Sequence, residues 1–453
     1  MVADVPCSCV AGVEGSCRRH SRVMPTEYMV KLCNERPNYM RVWDIHYGPG
    51  SVARRVPDPD NGGRLRVKPC IFRGERLPPG SISCGCDAYH CTNFEEPCTM
   101  SGTADVRSCL RCPEYATGRR IVVSSDRTLA PGDTVGLVLA IRNVWDRLGR
   151  ECTFKWGKSI VAPELADNCP YFGDFPDDGK DVESITIDQN FIHRSNRSNV
   201  HLAEAYLFSL CERLDLPFEP LNFDPSIVPS RKEMEPGHVS EILSANGESR
   251  PYVVINAGHK FDNTTKRWPT EHWAELVKRI RRAGFAVVQV GERNASNHWH
   301  PELEVDVDLV GETGPPLRQH EDFRRLIAVV YHSSATISAL SYLMHLGAQV
   351  PSPHGGRPVF AIGGGREPNA WSAYPSSVLF SSIGSLPCCS PDPCWKARVI
   401  PLGDKSGHDG SLCERPTQTM GGMTAECMAK IRPDEVASAV LRHLGTATVS
   451  KVV

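Results

Sequence analysis

From about residue 118 onward, short continuous apolar runs alternate with stretches whose apolar positions recur every three or four residues. Arg120-Ile121-Val122-Val123-Ser124-Ser125 reads as a strand, and Pro131-Gly132-Asp133 then opens a helix with apolar residues at Val135, Leu137, Val138, Ala140, Ile141 and Val144. A further strand is expected at Ile185-Thr186-Ile187-Asp188 and a helix from Asn199 through Phe208 and beyond. After a linker rich in Pro, Ser and charge around Pro225 to Lys232, the pattern resumes. Tyr252-Val253-Val254-Ile255-Asn256-Ala257-Gly258 has the unbroken apolar character of a strand buried on both faces. Thr270 is the expected cap of a helix over Glu271 to Ile280, and Phe285 to Gly291 is the next strand. Val359-Phe360-Ala361-Ile362 ends in Gly363-Gly364-Gly365, a turn that exposes backbone N–H groups but lacks the spacing of a dinucleotide fingerprint. The alternation predicts an α/β chain with two Rossmann-like halves, over 118–245 and 246–445, whose ligand groups sit at the carboxyl ends of the strands.

Residues 1–117 break this rhythm. They are dense in Pro, Gly and Cys, with only short strand-like runs such as Tyr39 to Ile45. At 453 residues and 50.0 kDa, the chain is long enough for two or three full cores. A balance of 51 basic against 53 acidic residues implies no nucleic-acid surface and no acidic tail. The first thirty residues carry charges throughout, without the apolar run of about 7 to 15 residues that a signal peptide requires. No window approaches the roughly 18 apolar residues of a membrane span. A cytoplasmic protein with reduced thiols is therefore expected.

The chain holds 19 cysteines, an odd number that argues against a disulfide framework. Cys388, Cys389, Cys394, Cys413 and Cys427 fall in a turn-rich segment with few aliphatic neighbours. Four thiolates at about 2.3 Å make a tetrahedral shell for zinc or iron, and spacing does not separate the two metals. A metal knot near 388–427 is expected, held by four of these five cysteines; the residues leave open which of Cys388 and Cys389 faces the ion. A second set is Cys84, Cys86, Cys109 and Cys112, the last two forming a CxxC pair; a second metal site and a loosely packed arm are both open readings of it. A hydrolytic metal centre using His90 would additionally need an open coordination position.

Asp133, in the first turn of a helix that follows a strand, is placed either to cap backbone N–H groups or to serve as a general base. His259 follows the strand-terminal Gly258, and His345 lies beside the expected crevice. Each is a binding candidate or a satisfied core histidine.

The segments Lys266 to Leu276, Val290-Gly291-Glu292, Asp308 to Thr313, Ser341 to Leu346 and Trp371 to Pro375 stand in the order and approximate spacing of the ADP-heptose heptosyltransferase family, which this chain resembles over 118–445. Pro131-Gly132-Asp133 is similar to the motif of that family's acceptor domain. The thiol-rich tail, with Pro401 to Asp404 before Cys413 and Glu426-Cys427-Met428 after it, resembles the branch that glycosylates bacterial autotransporter adhesins and carries cysteine-bound iron.

The resemblance implies a GT-B fold and an inverting hexosyl or heptosyl transfer from ADP-heptose or another nucleotide sugar to a protein hydroxyl. The acceptor would be an adhesin or other surface protein before export, with no organic cofactor, and a homo-oligomer stays open. It makes Asp133 the base and Lys266 the phosphate-binding lysine, with Thr265, Gly258, His259, Ser341, Met344, His345 and Gly364 lining the donor pocket. Cys389, Cys394, Cys413 and Cys427 become the metal ligands. Where the family shows Asp-Ser-Gly before Met-His-Leu-Ala, this chain has Leu340-Ser341-Tyr342 before Met344-His345-Leu346-Gly347. A carboxylate is lost, and Tyr342 is expected to intrude on the ligand. That departure motivates a second reading, a catalytically silent GT-B scaffold with structural metal sites.

Overall fold

The computed structural model describes residues 119–449 apart from 150–151, 177–181, 197–199, 245–246, 293–297 and 312–319, together with six short strands among the first 105 residues. Those six form two antiparallel three-stranded sheets. Cys84, Cys86, Cys109 and Cys112 lie outside the described residues.

The remainder is built on two parallel sheets. In the first, β1 (Arg119–Ser125) is central, flanked by β2 (Cys152–Trp156) and β3 (Val182–Ile187). Strand β1 feeds α1 (Pro131–Arg147), which has proline in its first turn, where a missing N–H costs nothing. Residues Thr134 to Ile141 of α1 are buried without a break, because the helix is enclosed on several sides. Its neighbours include α2 (Leu202–Arg213) and, from the other half of the molecule, α3 (Tyr342–Gln349). The expected strand at Ile185 extends back to Val182, and Asp188 caps the next helical turn by accepting from the N–H groups of Asn190 and Phe191. The helix foreseen from Asn199 starts at Leu202, where His201 and Glu204 satisfy each other's backbone donors.

The second sheet has six strands, all parallel. In chain order they are Tyr252–Asn256, Ala286–Gly291, Val307–Val310, Ala335–Ala339, Val359–Gly364 and Ser377–Ser381, arranged spatially as third, second, first, fourth, fifth, sixth. That order reverses direction between the first and fourth strands, which opens a crevice beyond the carboxyl ends of Tyr252–Asn256 and Ala335–Ala339. The helix Thr270–Arg282 covers one face with Trp273, Leu276, Val277 and Ile280, one apolar stripe at helical spacing. Thr270 is not its cap. Pro269 occupies that position, and Thr270 Oγ1 has no hydrogen-bond partner, since a proline before the first turn already fixes the entry of the chain.

One apolar core runs from Ile121, Val138 and Leu207 of the first half through to Leu343, Met344 and Leu346 of the second. Arg324, buried, fixes the same junction. It forms a bidentate pair with Glu233 at 2.8 and 2.5 Å and donates to the carbonyls of Glu164 and Val228 at 3.1 Å each. The guanidinium thus ties the first half, the linker and the second half. No described helix is long and apolar enough to cross a membrane.

Removing one partner of such a pair strands a buried charge, which costs about 3–5 kcal/mol. Glu233→Leu is expected to lower the urea midpoint accordingly, and adding Arg324→Met is expected to restore most of the loss. A single variant as stable as the parent would show that the pair carries no such weight.

Candidate active site

The two helix starts expected to carry chemistry face each other. A Cβ placed on Gly132, at the start of α1, would stand 3.1 Å from the His345 ring and 3.7 Å from Tyr342 Cα, so a side chain there would have to shift the His345 ring by a few tenths of an ångström. Asp133, next in sequence, is half-buried and within electrostatic reach of His193, Lys266 and Glu367. Burial pushes its carboxyl above the usual aspartate range, against the pull of His193 and Lys266.

Lys266 enters from the loop after the first strand of the second sheet. Its Nζ donates to the carbonyl of Leu340 at 3.2 Å and pairs with Glu367 at 2.7 Å. It therefore stands at the reversal point of the sheet, one residue before the cap of α3. Burial lowers the Lys266 ammonium, with Glu367 opposing the shift. Burial on its own would raise Glu367, but Lys266 and Arg366 outweigh it and hold the carboxylate ionised. Arg366 contacts the same carboxylate, and Ser372 Oγ lies 3.4 Å from its other oxygen. His345 Nδ1 is 2.9 Å from the Tyr374 hydroxyl, and burial followed by the Lys266 charge lowers the imidazole to about 4. At neutral pH His345 is neutral and able to offer a nitrogen lone pair or an N–H.

Asp133, Lys266 and His345 are thus brought together with Glu367, a residue that the sequence pattern did not single out. The other expected contributors divide. Ser341 caps α3, and its buried Oγ has no hydrogen-bond partner. Met344 is buried in the core between the halves. Thr265 Oγ1 turns away from the crevice, donating to the carbonyls of Lys396 and Ala397. Gly258 lies beneath the ring of His300, since a Cβ there would come within 2.2 Å of it. His259 packs on Trp299 with ring centres 5.1 Å apart, and burial, then Arg267, lowers it to about 3. Gly364, with φ of +60°, faces the cysteine segment: a Cβ on it would meet Met428 Sδ at 2.5 Å and Cys427 Sγ at 3.4 Å. The glycine run serves close packing there rather than an open ligand loop.

Tyr342 does not intrude. Its ring meets Phe323 edge-on at 5.6 Å, and its hydroxyl is buried near Glu164 and Arg324, on the core side of α3. The residue that motivated a silent scaffold thus packs into the core between the halves.

Cys388, Cys389, Cys394, Cys413 and Cys427 line one small cavity, and all five are free thiols. The expected closed shell of four thiolates is not formed: among the described residues no three His, Cys, Asp or Glu side chains are arranged to hold a metal ion. Burial, with the neighbouring cysteines adding to it, pushes Cys427 up to about 11, and Cys389 Sγ turns toward the carbonyls of Leu386 and Ser382 at 3.5 and 3.7 Å. A protonated sulfur satisfies a carbonyl, whereas a metal shell needs thiolates aimed at one point.

Comparison with curated protein sequences gives no match. Among solved structures, the chain is similar to the iron-containing dodecameric glycosyltransferase TibC of enterotoxigenic E. coli, at 19% identity over 73% of this chain and 77% of that one, with a TM-score of 0.48. It is similar to a family 9 glycosyl transferase of Veillonella parvula at 14% identity, over 72% of this chain and 98% of that one, with a TM-score of 0.48. The ADP-heptose lipopolysaccharide heptosyltransferase II of E. coli aligns at 14% identity over 73% and 99%, with a TM-score of 0.40. Residues 192–390, which hold Lys266, Ser341, His345 and Glu367, match the family model of glycosyltransferase family 9 (heptosyltransferase).

Proposed function

We propose that the chain moves a heptose or related sugar from a nucleotide-linked donor, ADP-heptose or a close analogue, to a hydroxyl of a protein. The observation that carries this reading is the meeting of Asp133, Lys266, His345 and Glu367 between two facing helix starts. Asp133 accepts the proton of the acceptor hydroxyl as its oxygen attacks the anomeric carbon. The bond to the diphosphate breaks on the opposite face, inverting the centre. Lys266 and the free N–H groups at the start of α3 receive the departing charge. His345, neutral and held by Tyr374, is positioned to donate to a diphosphate or sugar oxygen.

The protein acceptor, such as an adhesin before export, is supported by the likeness of the cysteine tail to the adhesin-modifying branch; the proposal places the chain in the cytoplasm, on its charged first thirty residues, and leaves a homo-oligomer open. The division of the chain near 118 and 246 is part of the same proposal. The donor chemistry of the cavity suits a soft metal ion: Cys389, Cys394, Cys413 and Cys427 would hold iron or zinc once deprotonated. Such an ion would add to the core contacts that Cys389 and Cys427 already make.

Asp133→Asn is expected to lower the rate of nucleotide release from donor and acceptor by about 10²- to 10⁴-fold with the fold intact. A base must be ionised to act, so activity is expected to fall as pH drops through the Asp133 pKa, at a midpoint above the roughly 3.9 of free aspartate because burial raises it. An Asn variant with parental kcat would remove Asp133 from the chemistry.

Cys413→Ser and Cys427→Ser are each expected to cut metal content, measured by elemental analysis, from about one ion per chain to well under half. Cys211→Ser is expected to leave it unchanged, because Cys211 is buried in α2 beside Arg147 as a small apolar side chain. Unaltered stoichiometry in both tail variants would exclude these thiols as ligands.

A further inference from the structure

The segment between Cys394 and Cys413 runs alongside the loop that carries Lys266 and is bonded to it at successive residues. Thr265 Oγ1 donates to the carbonyls of Lys396 at 2.7 Å and Ala397 at 3.0 Å, and the Thr265 N–H reaches Ala397 at 3.2 Å. The Val399 N–H donates to Thr264 Oγ1 at 2.9 Å. Between them stands Arg398, with a side chain that is 0% exposed.

All five of its donors are used. Nε donates to the carbonyl of Phe261 at 3.2 Å, and Nη2 donates to Asp262 at 3.2 Å, so two bonds hold the start of the Lys266 loop. The remaining donors go to Asp404 at 2.8 and 2.5 Å and to Asp409 at 2.6 Å. Asp409 in turn accepts from the N–H groups of Leu402 and Gly403. The Arg398 carbonyl accepts from the Cys413 N–H at 2.7 Å, which anchors the residue to the thiol cavity. A planar guanidinium with every donor engaged holds its partners in one geometry, as a flexible ammonium would not.

We propose that Arg398 is a positioning residue for donor binding: it clamps the loop 261–266 against the cysteine segment so that the Lys266 ammonium is presented to the donor's diphosphate. This rests on the reading of Lys266 as the diphosphate ligand. Arg398 itself points away from the crevice and touches no reacting atom.

Asp262→Asn is the sharpest test, because it loosens the cord between Arg398 and the loop while leaving Asp404 and Asp409 in place. Removing a negative charge near an anion site would by Coulomb's law alone tighten the binding of a nucleoside diphosphate. Positioning predicts the opposite sign. With ADP as probe and calorimetry as readout on the full chain, Asp262→Asn and Arg398→Lys are each expected to raise Kd about 5- to 20-fold, within the range that loss of alignment produces. If either variant fails to fold, Thr264→Ala, which removes the bond from Val399, carries the same expectation.

Lys266→Ala is expected to raise Kd about tenfold or more, and adding Asp262→Asn to it is expected to change Kd by no more than about twofold, since residues acting through one group are not additive. The inference is overturned if Asp262→Asn tightens ADP or leaves Kd unchanged while Lys266→Ala weakens it. An undiminished Asp262→Asn effect in the Lys266→Ala background overturns it equally. Parental ADP affinity in Lys266→Ala would instead defeat the donor-site reading, and the inference with it.

Discussion

An ammonium and a carboxylate 2.7 Å apart, both mostly withdrawn from water, govern the crevice between the two halves. Desolvation works against the charged form of each, and the charge of the partner opposes it. Together they keep a cation ready at the reversal point of the parallel sheet, where backbone N–H groups of α3 also point. On the proposed donor-binding role of Lys266, a diphosphate arriving there competes with a carboxylate already in place. Its gain is the difference between two anions rather than the full attraction of a bare lysine. Discrimination in favour of a doubly charged group follows from that competition.

The same pair explains why Asp133 has to sit across from it on a different helix. Glu367, as the nearer carboxylate, is held ionised by Lys266 and Arg366 and is a poor proton acceptor. Asp133 has its carboxyl raised by burial and is the stronger base of the two. On the proposed mechanism the two acids are separated in role by their surroundings, and Gly132 keeps side-chain bulk out of the space between the two helix starts.

The sequence pattern carried the sheet well where burial is complete. Tyr252–Asn256 and Ala286–Gly291 are continuous apolar runs, and their strands were legible for that reason. Cys152–Trp156 was not, because CTFKW mixes polar and aromatic residues in too short a run. Ala335–Ala339, the strand that defines the crevice, is made of small residues with weak strand character and is fixed by its neighbours. Asp133, Lys266 and His345 could be picked out from their motifs. Glu367 and Arg398 could not, since an acid or a base in a loop gives no local sign of a partner far along the chain. Tyr342 shows the reverse error: a bulky residue at a ligand-side motif suggests obstruction, but a helix start offers two faces, and here the ring takes the one toward Phe323.

The cysteine segment acquires a second meaning from its hydrogen bonds. Stretches that lead into and out of the thiol cavity also hold the Lys266 loop: the Trp395 N–H donates to the Arg366 carbonyl, the Arg366 side chain donates to the Lys396 carbonyl and to Asn263, and the hairpin before Cys427 receives Arg267 through the carbonyls of Gly421 and Met423. Cys389 and Cys427 pack in the core of the second sheet, while Cys388, Cys394 and Cys413 lie partly buried at its margin. Whatever draws these sulfurs to a common point would therefore tighten the loop as well as the fold. Stability of the tail and geometry of the phosphate site are thus linked through the same few backbone bonds, and a change that loosens one is transmitted to the other.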